Sequence, residues 1–213
     1  MSKPAAQLGL VRHGATNWTL AGRYQGLADP PLCATGIAQA AALGLRLQAE
    51  PAQIPVQMIV SSPLRRARQT ADILTESLGL SAPQIDTDLS EMNFGEWEGL
   101  TQAEVKTKWP HVLRAWKQTP YAIRLPGGEM LPEMRERVRA GLRRWHGQPN
   151  RVLLVTHAVW IRLACIENGD ATVEEFRNIE VAPASVHWMA IASNEGPGFV
   201  TASNKKEISC VSP

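Results

Sequence analysis

Three short apolar runs, each followed directly by polar residues, constrain the fold of this chain more than any other feature of its sequence. The runs cover residues 8–11, 58–60 and 152–155. Unbroken runs of β-branched residues and leucine of this length are typical of strands that are buried on both faces of a parallel sheet. Parallel strands need crossover connections, which are usually helices, so the runs predict a three-layer α/β/α fold with a mostly parallel central sheet.

The segments between the runs carry the spacing of amphipathic helices. A weak apolar stripe over residues 38–47 has Thr35 in position to cap it, and two stronger stripes repeat at intervals of three and four residues. Ser62 is a suitable N-cap and Pro63 suits a first helical position, so we expect the helix of the first strong stripe to begin there. The strong stripes consist of Leu64, Ala67, Ala71, Leu74 and Leu78, and of Met134, Val138, Leu142 and Trp145.

Residues 92–127 differ in composition and pattern from the rest of the chain. Trp97, Trp109 and Trp116 lie there among short helical stretches that are broken by prolines. We interpret this segment as a helical insertion over the carboxyl edge of the sheet, where loops and insertions commonly carry function. It is a natural position for a lid or for a wall that selects the substrate.

The C-terminal part of the chain predicts the end of a single domain. Residues 186–192 and 199–202 have the composition of late strands, and residues 205–213 are expected to form a loose tail. A chain of 213 residues is within the usual size of one domain, which we place over residues 1–204.

Composition excludes several classes of protein. The formal net charge is only +2, which argues against a nucleic-acid binder that works by bulk charge. Cys33, Cys165 and Cys210 lie far apart without a C-x-x-C motif, which indicates reduced thiols and not a disulfide framework. The sequence contains neither the apolar core of a signal peptide nor an apolar run that approaches the roughly 20 residues of a membrane span. We therefore expect a cytoplasmic protein with no nucleic-acid partner and no membrane partner.

Residues capable of chemistry follow each apolar run at the point where it ends. Arg12 and His13 follow the first run, residues 61–66 with two arginines follow the second, and Thr156 and His157 follow the third. The carboxyl ends of parallel strands form one edge of a sheet, and ligands bind in the crevice there. Two histidines and several arginines are therefore predicted to converge on one site.

The second of these segments favours an anionic ligand. Arg65, Arg66 and Arg68 would lie in the first turns of a helix, where the macrodipole disfavours each cation by about 0.3–1 kcal/mol. A bound phosphate would reverse that sign, because backbone N–H groups and guanidinium groups both suit it. The alternative is that all three arginines face solvent, and either histidine alone could equally be structural. The absence of His-x-His, H-E-x-x-H and G-x-S-x-G motifs argues against a metal centre and against a serine hydrolase.

At these residues the sequence resembles the histidine phosphatase superfamily, which also contains the cofactor-dependent phosphoglycerate mutases. The resemblance extends from residue 10 to about residue 185. It is carried, in order, by LVRHGAT at 10–16, GRYQG at 22–26, SSPLRRARQTA at 61–71, LSEMNFGEWEG at 89–99, PGGE at 126–129 and VTHA at 155–158. A single R-H-G would be a weak signal, whereas these motifs in this order are specific.

The resemblance implies a role for each motif. His13 would be the nucleophile that carries a transient phosphate, and Glu91 would be the general acid and base. Arg12, Arg66 and His157 would hold the phosphate oxygens, whereas Arg65 and Arg68 would have no catalytic role. The wider set of implied phosphate-binding residues is Arg12, Thr19, Gln25, Gly26, Arg66, His157 and Ala158. We expect no metal and no cofactor.

The sequence departs from the family at four positions near these motifs. The family commonly has glutamate at Ala15, asparagine at Thr19, serine at Met130 and glycine at Ala158. Thr19 matters most, because the family's asparagine helps to hold the phosphate and a hydroxyl can replace only part of that contact.

These observations predict a metal-independent phosphoric monoester hydrolase that acts on a small phosphorylated metabolite. The short stretch from Glu91 to Glu129 favours hydrolysis over the mutase reaction of longer relatives, and α-ribazole phosphatase and broad-specificity phosphatases are both compatible relatives. A phosphoglycerate mutase, a non-catalytic phosphate-binding module and a protein phosphatase or scaffold remain as alternatives. Arg114, Lys117 and Arg124 could meet a second acidic group of the substrate, although a solvated face is the simpler interpretation. The sequence leaves the substrate open, as well as the choice between monomer and homodimer.

Overall fold

The computed structural model describes residues 7–50, 55–145, 148 and 151–190, and among these it contains five strands and seven α-helices. Single-turn 3₁₀ helices cover Thr87–Leu89, Gly95–Trp97 and Pro120–Ala122. The strands are β1 (Gln7–Arg12), β2 (Val56–Ser61), β3 (Gln84–Ile85), β4 (Arg151–Thr156) and β5 (Val186–Ala190). The helices are α1 (Asn17–Leu20), α2 (Ala34–Ala49), α3 (Arg65–Leu78), α4 (Gln102–Lys108), α5 (Pro110–Gln118), α6 (Leu131–Trp145) and α7 (Ala158–Glu167).

The strands form one mixed sheet in the order β3-β2-β4-β1-β5. The first four strands in that order are parallel, and β5 runs antiparallel to β1 at the edge. The three strands predicted from the apolar runs are confirmed, and so is the late strand as far as residue 190. Its continuation, the predicted strand at 199–202 and the predicted tail at 205–213 lie outside the described residues.

Alternate residues of the central strands enter two separate hydrophobic cores. Val11 and Leu153 face the core that α2 and α3 complete, whereas Leu10 and Leu154 face the core that contains α6 and α7. A strand must send successive side chains to opposite faces, so continuous apolar runs require helices on both sides. The three-layer α/β/α architecture expected from the sequence is confirmed.

The start of α3 differs from the prediction. Ser62 is not the N-cap of the helix, because α3 begins three residues later with Leu64 at the N-cap position. Ser62 N instead donates to Val155 O at 2.9 Å, and its hydroxyl lies 2.8 Å from His157 Nε2. The helix begins at Arg65, whose N–H donates to a carboxylate oxygen of Asp29 at 2.5 Å. The capping group therefore comes from a residue 36 positions away, which local sequence rules do not reveal. Thr35 is also not a cap, because α2 begins at Ala34.

Residues 92–127 are largely helical and contain α4 and α5. Trp97 is fully buried and Trp116 is nearly so, with their rings edge to face and centroids 6.3 Å apart. Trp116 also meets Phe176, which lies in the segment between α7 and β5, at 6.3 Å. These aromatic rings therefore pack the insertion onto the domain, and its use as a lid stays a prediction. Within the described ranges, no helix is both long enough and apolar enough to cross a bilayer.

Candidate active site

The carboxyl ends of β1, β2 and β4 bring His13, Ser62 and His157 to one edge of the sheet. His13 N donates to Thr156 O at 3.0 Å, so the end of β1 is tied to the end of β4. The two imidazole rings lie with their centroids 5.2 Å apart, and both residues are almost completely buried. The predicted meeting of the two histidines is therefore present.

The tautomer of His13 is fixed by its own chain. His13 Nδ1 lies 2.7 Å from Gly14 O, and because a carbonyl only accepts, the ring proton belongs on Nδ1. Nε2 is then an acceptor, and it receives a hydrogen bond from Arg66 Nε at 3.3 Å. Burial, followed by the charges of Arg66 and Arg12, lowers the pKa of His13 well below its ordinary value. The imidazole is thus neutral, with its lone pair on Nε2 toward a guanidinium group.

Arg66 is a fully buried cation that the loop after α1 surrounds. Its Nη1 donates to Ala28 O and its Nη2 to Gly26 O, each at 2.7 Å. Gly26 has φ of +56°, and a Cβ there would lie 2.0 Å from a carboxylate oxygen of Glu98, so the loop requires glycine at this position. Burial lowers the pKa of Arg66, while the negative charges of Glu91, Asp29 and Glu98 raise it.

Arg12 and His157 each present a buried nitrogen that has no hydrogen-bond partner among the described residues. Arg12 Nη1 donates to Val181 O at 2.6 Å, but Nε is unpaired, as is Nδ1 of His157. Ser62 Oγ accepts from Leu64 N at 3.3 Å, so its proton can go to His157 Nε2, which favours a proton on Nδ1. Burial lowers the pKa of Arg12 to about 10, so it remains a cation at neutral pH. These two buried donors, at the ends of β1 and β4, therefore have no acceptor among the described residues.

Glu91 lies on the same side of the site and is nearly fully buried. Its Oε1 accepts from Met92 N at 2.9 Å, and Val159 N at the start of α7 lies 3.5 Å from Oε2. Burial raises the pKa of Glu91 above its ordinary value, although these N–H groups and the charges of Arg66 and Arg12 act in the opposite direction. A carboxyl group with a raised pKa suits a general acid.

Arg137 and Glu129 hold the loop that carries Glu91. Arg137 Nη2 donates to Glu91 O at 3.1 Å and to Glu129 Oε1 at 2.9 Å. The same Glu129 oxygen accepts from Asn93 N at 2.6 Å. Glu129 belongs to the PGGE motif, whereas sequence reasoning missed Arg137, which stands on the polar side of the α6 stripe without any motif to mark it.

Comparison with known proteins agrees with this geometry. Residues 8–204 match the family model described as histidine phosphatase superfamily (branch 1). The chain belongs to the histidine phosphatase superfamily. The family predicted from the sequence is thereby confirmed.

Three members of the superfamily illustrate its range of activities. Phosphoserine phosphatase 1 of Hydrogenobacter thermophilus is 35% identical over 158 residues, which are 72% of this chain and 71% of that protein. A 2,3-bisphosphoglycerate-dependent phosphoglycerate mutase of Methylobacterium sp. (strain 4-46) is 36% identical over 132 residues, 61% of this chain and 62% of that protein. The structure of an Escherichia coli K-12 protein described as a candidate α-ribazole-5'-P phosphatase has a TM-score of 0.77 at 27% identity, covering 89% of this chain and 92% of that one. The two phosphatases among these proteins support the predicted phosphatase chemistry.

For three other phosphate-binding residues that the resemblance implies, the structure shows only their contacts and position within the protein. Thr19 Oγ1 accepts from Gln25 Nε2 at 3.0 Å and from Thr16 N at 3.2 Å, so Thr19 and Gln25 are bonded to each other. Ala158 is the first residue of α7 and is partly exposed next to His157. Contact of these three residues with phosphate stays a prediction.

The structure distinguishes the arginines that the sequence could not rank. Arg65 and Arg68 are exposed, unlike Arg66 between them. On the insertion side, Arg124 forms a salt bridge with Glu133, and Arg114 is exposed. No group of three or more His, Cys, Asp or Glu side chains arranged to hold a metal ion occurs in the part of the chain that the structure describes. Metal independence stays an expectation for experiment.

Proposed function

We propose that the protein is a phosphatase that hydrolyses a small-molecule phosphomonoester through a phosphohistidine on His13. The observation that carries the proposal is the pair of buried, unpaired donors, Arg12 Nε and His157 Nδ1, beside a neutral imidazole. Leaving such donors without acceptors costs about 1–3 kcal/mol each, and the oxygens of a phosphate group would satisfy both. No acceptor for them is supplied by the described residues.

In the first step, the lone pair on His13 Nε2 attacks phosphorus while the bond between phosphorus and the ester oxygen breaks. Glu91 in its protonated form gives its proton to the departing oxygen, so that the alcohol leaves neutral. The products are phosphohistidine, the alcohol and the Glu91 carboxylate. Charge on the equatorial oxygens is matched by Arg12 and Arg66 and by the N–H of His157.

In the second step, the Glu91 carboxylate takes a proton from a water molecule as the water oxygen attacks phosphorus. The N–P bond breaks, inorganic phosphate leaves, and both His13 and Glu91 return to their starting forms. The lowered pKa of His13 and the raised pKa of Glu91 match the protonation states that the first step needs.

A phosphoglycerate mutase is the second candidate, because one relative that is 36% identical bears that name. A mutase would return the phosphate from His13 to a bound sugar acid instead of to water. The short stretch between Glu91 and Glu129 favours hydrolysis. Turnover of 3-phosphoglycerate to 2-phosphoglycerate that depends on a bisphosphorylated primer would distinguish the mutase.

The decisive test is hydrolysis of 4-nitrophenyl phosphate in the presence of a chelator. We expect His13→Ala to lower kcat by at least about 10⁴-fold and to abolish acid-labile labelling by radioactive phosphate, because the nucleophile is gone. His111→Ala is the matched control, because His111 is exposed on α5. Full activity of the His13 variant, or a requirement for metal, would contradict the proposal.

A further inference from the structure

Arg162 is a half-buried cation that the reaction described above does not use. It lies on α7, where its Nε donates to Ile179 O at 3.0 Å and its guanidinium lies 5.9 Å from the centre of the Phe176 ring. No ion pair with a described carboxylate involves it. By contrast, Arg135 and Arg139 on the neighbouring α6 both pair with Glu167. The Nη1 and Nη2 edge of Arg162 is therefore available to a ligand.

The position of Arg162 places it beside the general acid. Val159 N, at the start of α7, lies 3.5 Å from Glu91 Oε2, and Arg162 follows on the same helix about one turn further along. Arg12 and Arg162 also donate to the same loop, at Val181 O and Ile179 O. Burial lowers the pKa of both Arg12 and Arg162, the charge of Glu91 raises both, and the charge of Arg162 lowers the pKa of Arg12 further, as expected for groups around one pocket.

The electrostatics of this pocket favour an additional anion. Burial lowers the pKa of Arg162, and the charge of Arg177 lowers it further. Arg12 is a second cation nearby. Glu91 offers no charge compensation when it is protonated for the first step. A partly desolvated guanidinium without an anionic partner is unfavourable, and the cost is relieved when a negative group binds.

We infer that Arg162 determines specificity by binding a carboxylate of the substrate next to the ester oxygen, through its Nη1 and Nη2 edge. The site would then select phosphomonoesters of small hydroxy acids over those of uncharged or cationic alcohols. The inference rests on the proposed function, because it is Glu91, as the acid, that defines the side from which the alcohol leaves. A carboxylate fits this edge because two parallel N–H groups match its two oxygens, with Nε already engaged by Ile179 O.

Two pairs of substrates that differ at the carboxylate test this inference. O-phosphoserine and O-phosphoethanolamine differ only by that group, and in glycerol 3-phosphate a hydroxymethyl group replaces the carboxylate of 3-phosphoglycerate. We expect the wild-type protein to prefer the carboxylate in kcat/KM by about tenfold to a hundredfold, the range of one charged hydrogen-bonding contact. Arg162→Gln should bring both ratios close to one, and Arg162→Lys, which keeps the charge without the planar edge, should give intermediate ratios.

Arg114→Gln is the matched control, because this exposed arginine of α5 is the alternative location for a second acidic group. Three results would each overturn the role of Arg162. The ratios could be near one in the wild-type protein, they could keep their wild-type values in Arg162→Gln, or they could fall to one in Arg114→Gln. If Arg162→Gln does not fold, unchanged ratios in Arg162→Lys overturn it as well. Failure of the proposed function can be told apart from failure of this inference, because in the first case the wild-type protein would not hydrolyse 4-nitrophenyl phosphate. The inference would then be wrong as well.

Discussion

Arg66 and Arg162, which we assign to opposite sides of the proposed substrate pocket, are held in different ways. Arg66 is fully buried and donates to two backbone carbonyls and to the ring of His13. Arg162 is half-buried and donates to a single carbonyl, that of Ile179. A fully desolvated guanidinium is tolerated only when its donors are satisfied, so Arg66 has to be part of the protein framework. Arg162 retains solvent contact and can keep donors free for a substrate.

The same difference separates the two sides of the site. The phosphate side consists of strand ends and one helix start, tied together by short buried hydrogen bonds such as His13 N to Thr156 O. The side that we propose for the leaving group consists of the insertion, the second turn of α7 and the loop through Phe176; the insertion and this loop meet through aromatic rings. Changes on the phosphate side should therefore affect all substrates alike, whereas changes on the leaving-group side should depend on the alcohol.

After loss of the nucleophile, the largest effect that is common to all substrates is expected for Arg66→Met. The substitution removes a cation from the phosphate oxygens, so kcat/KM should fall by about 10²–10³-fold or more, and by the same factor for aryl and alkyl phosphates. It also leaves Gly26 O and Ala28 O without donors, at about 1–3 kcal/mol each. Steady-state kinetics on two or more substrates and urea unfolding measure the two effects.

Arg68→Met is the control for that change, because Arg68 is exposed in the same helix. It should leave both kinetics and unfolding nearly unchanged. A loss at Arg66 that differed strongly between substrates would break the proposed division between the two sides.

The phosphate side was largely predictable from the sequence, because strand ends and helix stripes are local patterns. The apolar runs just before Arg12 and His157 predicted where those residues would meet. The apolar stripe from Ala67 to Leu74 predicted the helix that carries Arg66. That Arg66, and not Arg65 or Arg68, would have the functional role was indicated only by the family resemblance, since the helical period alone could not rank the three arginines.

On both sides of the site, the features that could not be predicted are contacts between residues that are distant in sequence and follow no repeat. Asp29 caps α3, Arg137 holds the loop of Glu91, and Arg162 stands beside Phe176 without any motif. Ser62 was misassigned as a helix cap for the same reason: its partner, His157, is 95 positions away. Local propensity showed that Ser62 was suited to capping, but it could not show that the side chain of Ser62 would contact His157.

The effect of Glu91→Gln should depend on the leaving group, unlike that of Arg66→Met. The amide can still accept from Met92 N, so the loop should be preserved while the transferable proton is lost. Alkyl phosphates should lose about 10²–10⁴-fold in kcat. 4-Nitrophenyl phosphate needs no proton on its leaving oxygen, so it should give a burst of 4-nitrophenol followed by slow release of phosphate.

The pH dependence of the wild-type protein follows from the raised pKa of Glu91. The acid form is present below that pKa, so kcat/KM for alkyl phosphates should fall as pH rises through it, and Glu91→Gln should lack this alkaline limb. Glu96→Gln, at an exposed position of the same loop, should retain it. An alkaline limb that persists in Glu91→Gln would assign the acid to another residue.

The smallest effect is expected for Thr19→Asn, which restores the residue common in the superfamily. Thr19 Oγ1 already accepts from Gln25 Nε2 and Thr16 N, so its hydroxyl has at most one proton to offer a phosphate, whereas an amide offers two. One added hydrogen bond of about 0.5–1.5 kcal/mol should lower KM about threefold to tenfold, as measured by steady-state kinetics, and Thr35→Asn on the exposed start of α2 should not. Because Thr19 is expected to act on the phosphate, the gain should be equal for O-phosphoserine and O-phosphoethanolamine. A gain confined to one of them would instead place Thr19 on the leaving-group side of the site, because only a contact with the alcohol can depend on which alcohol is bound.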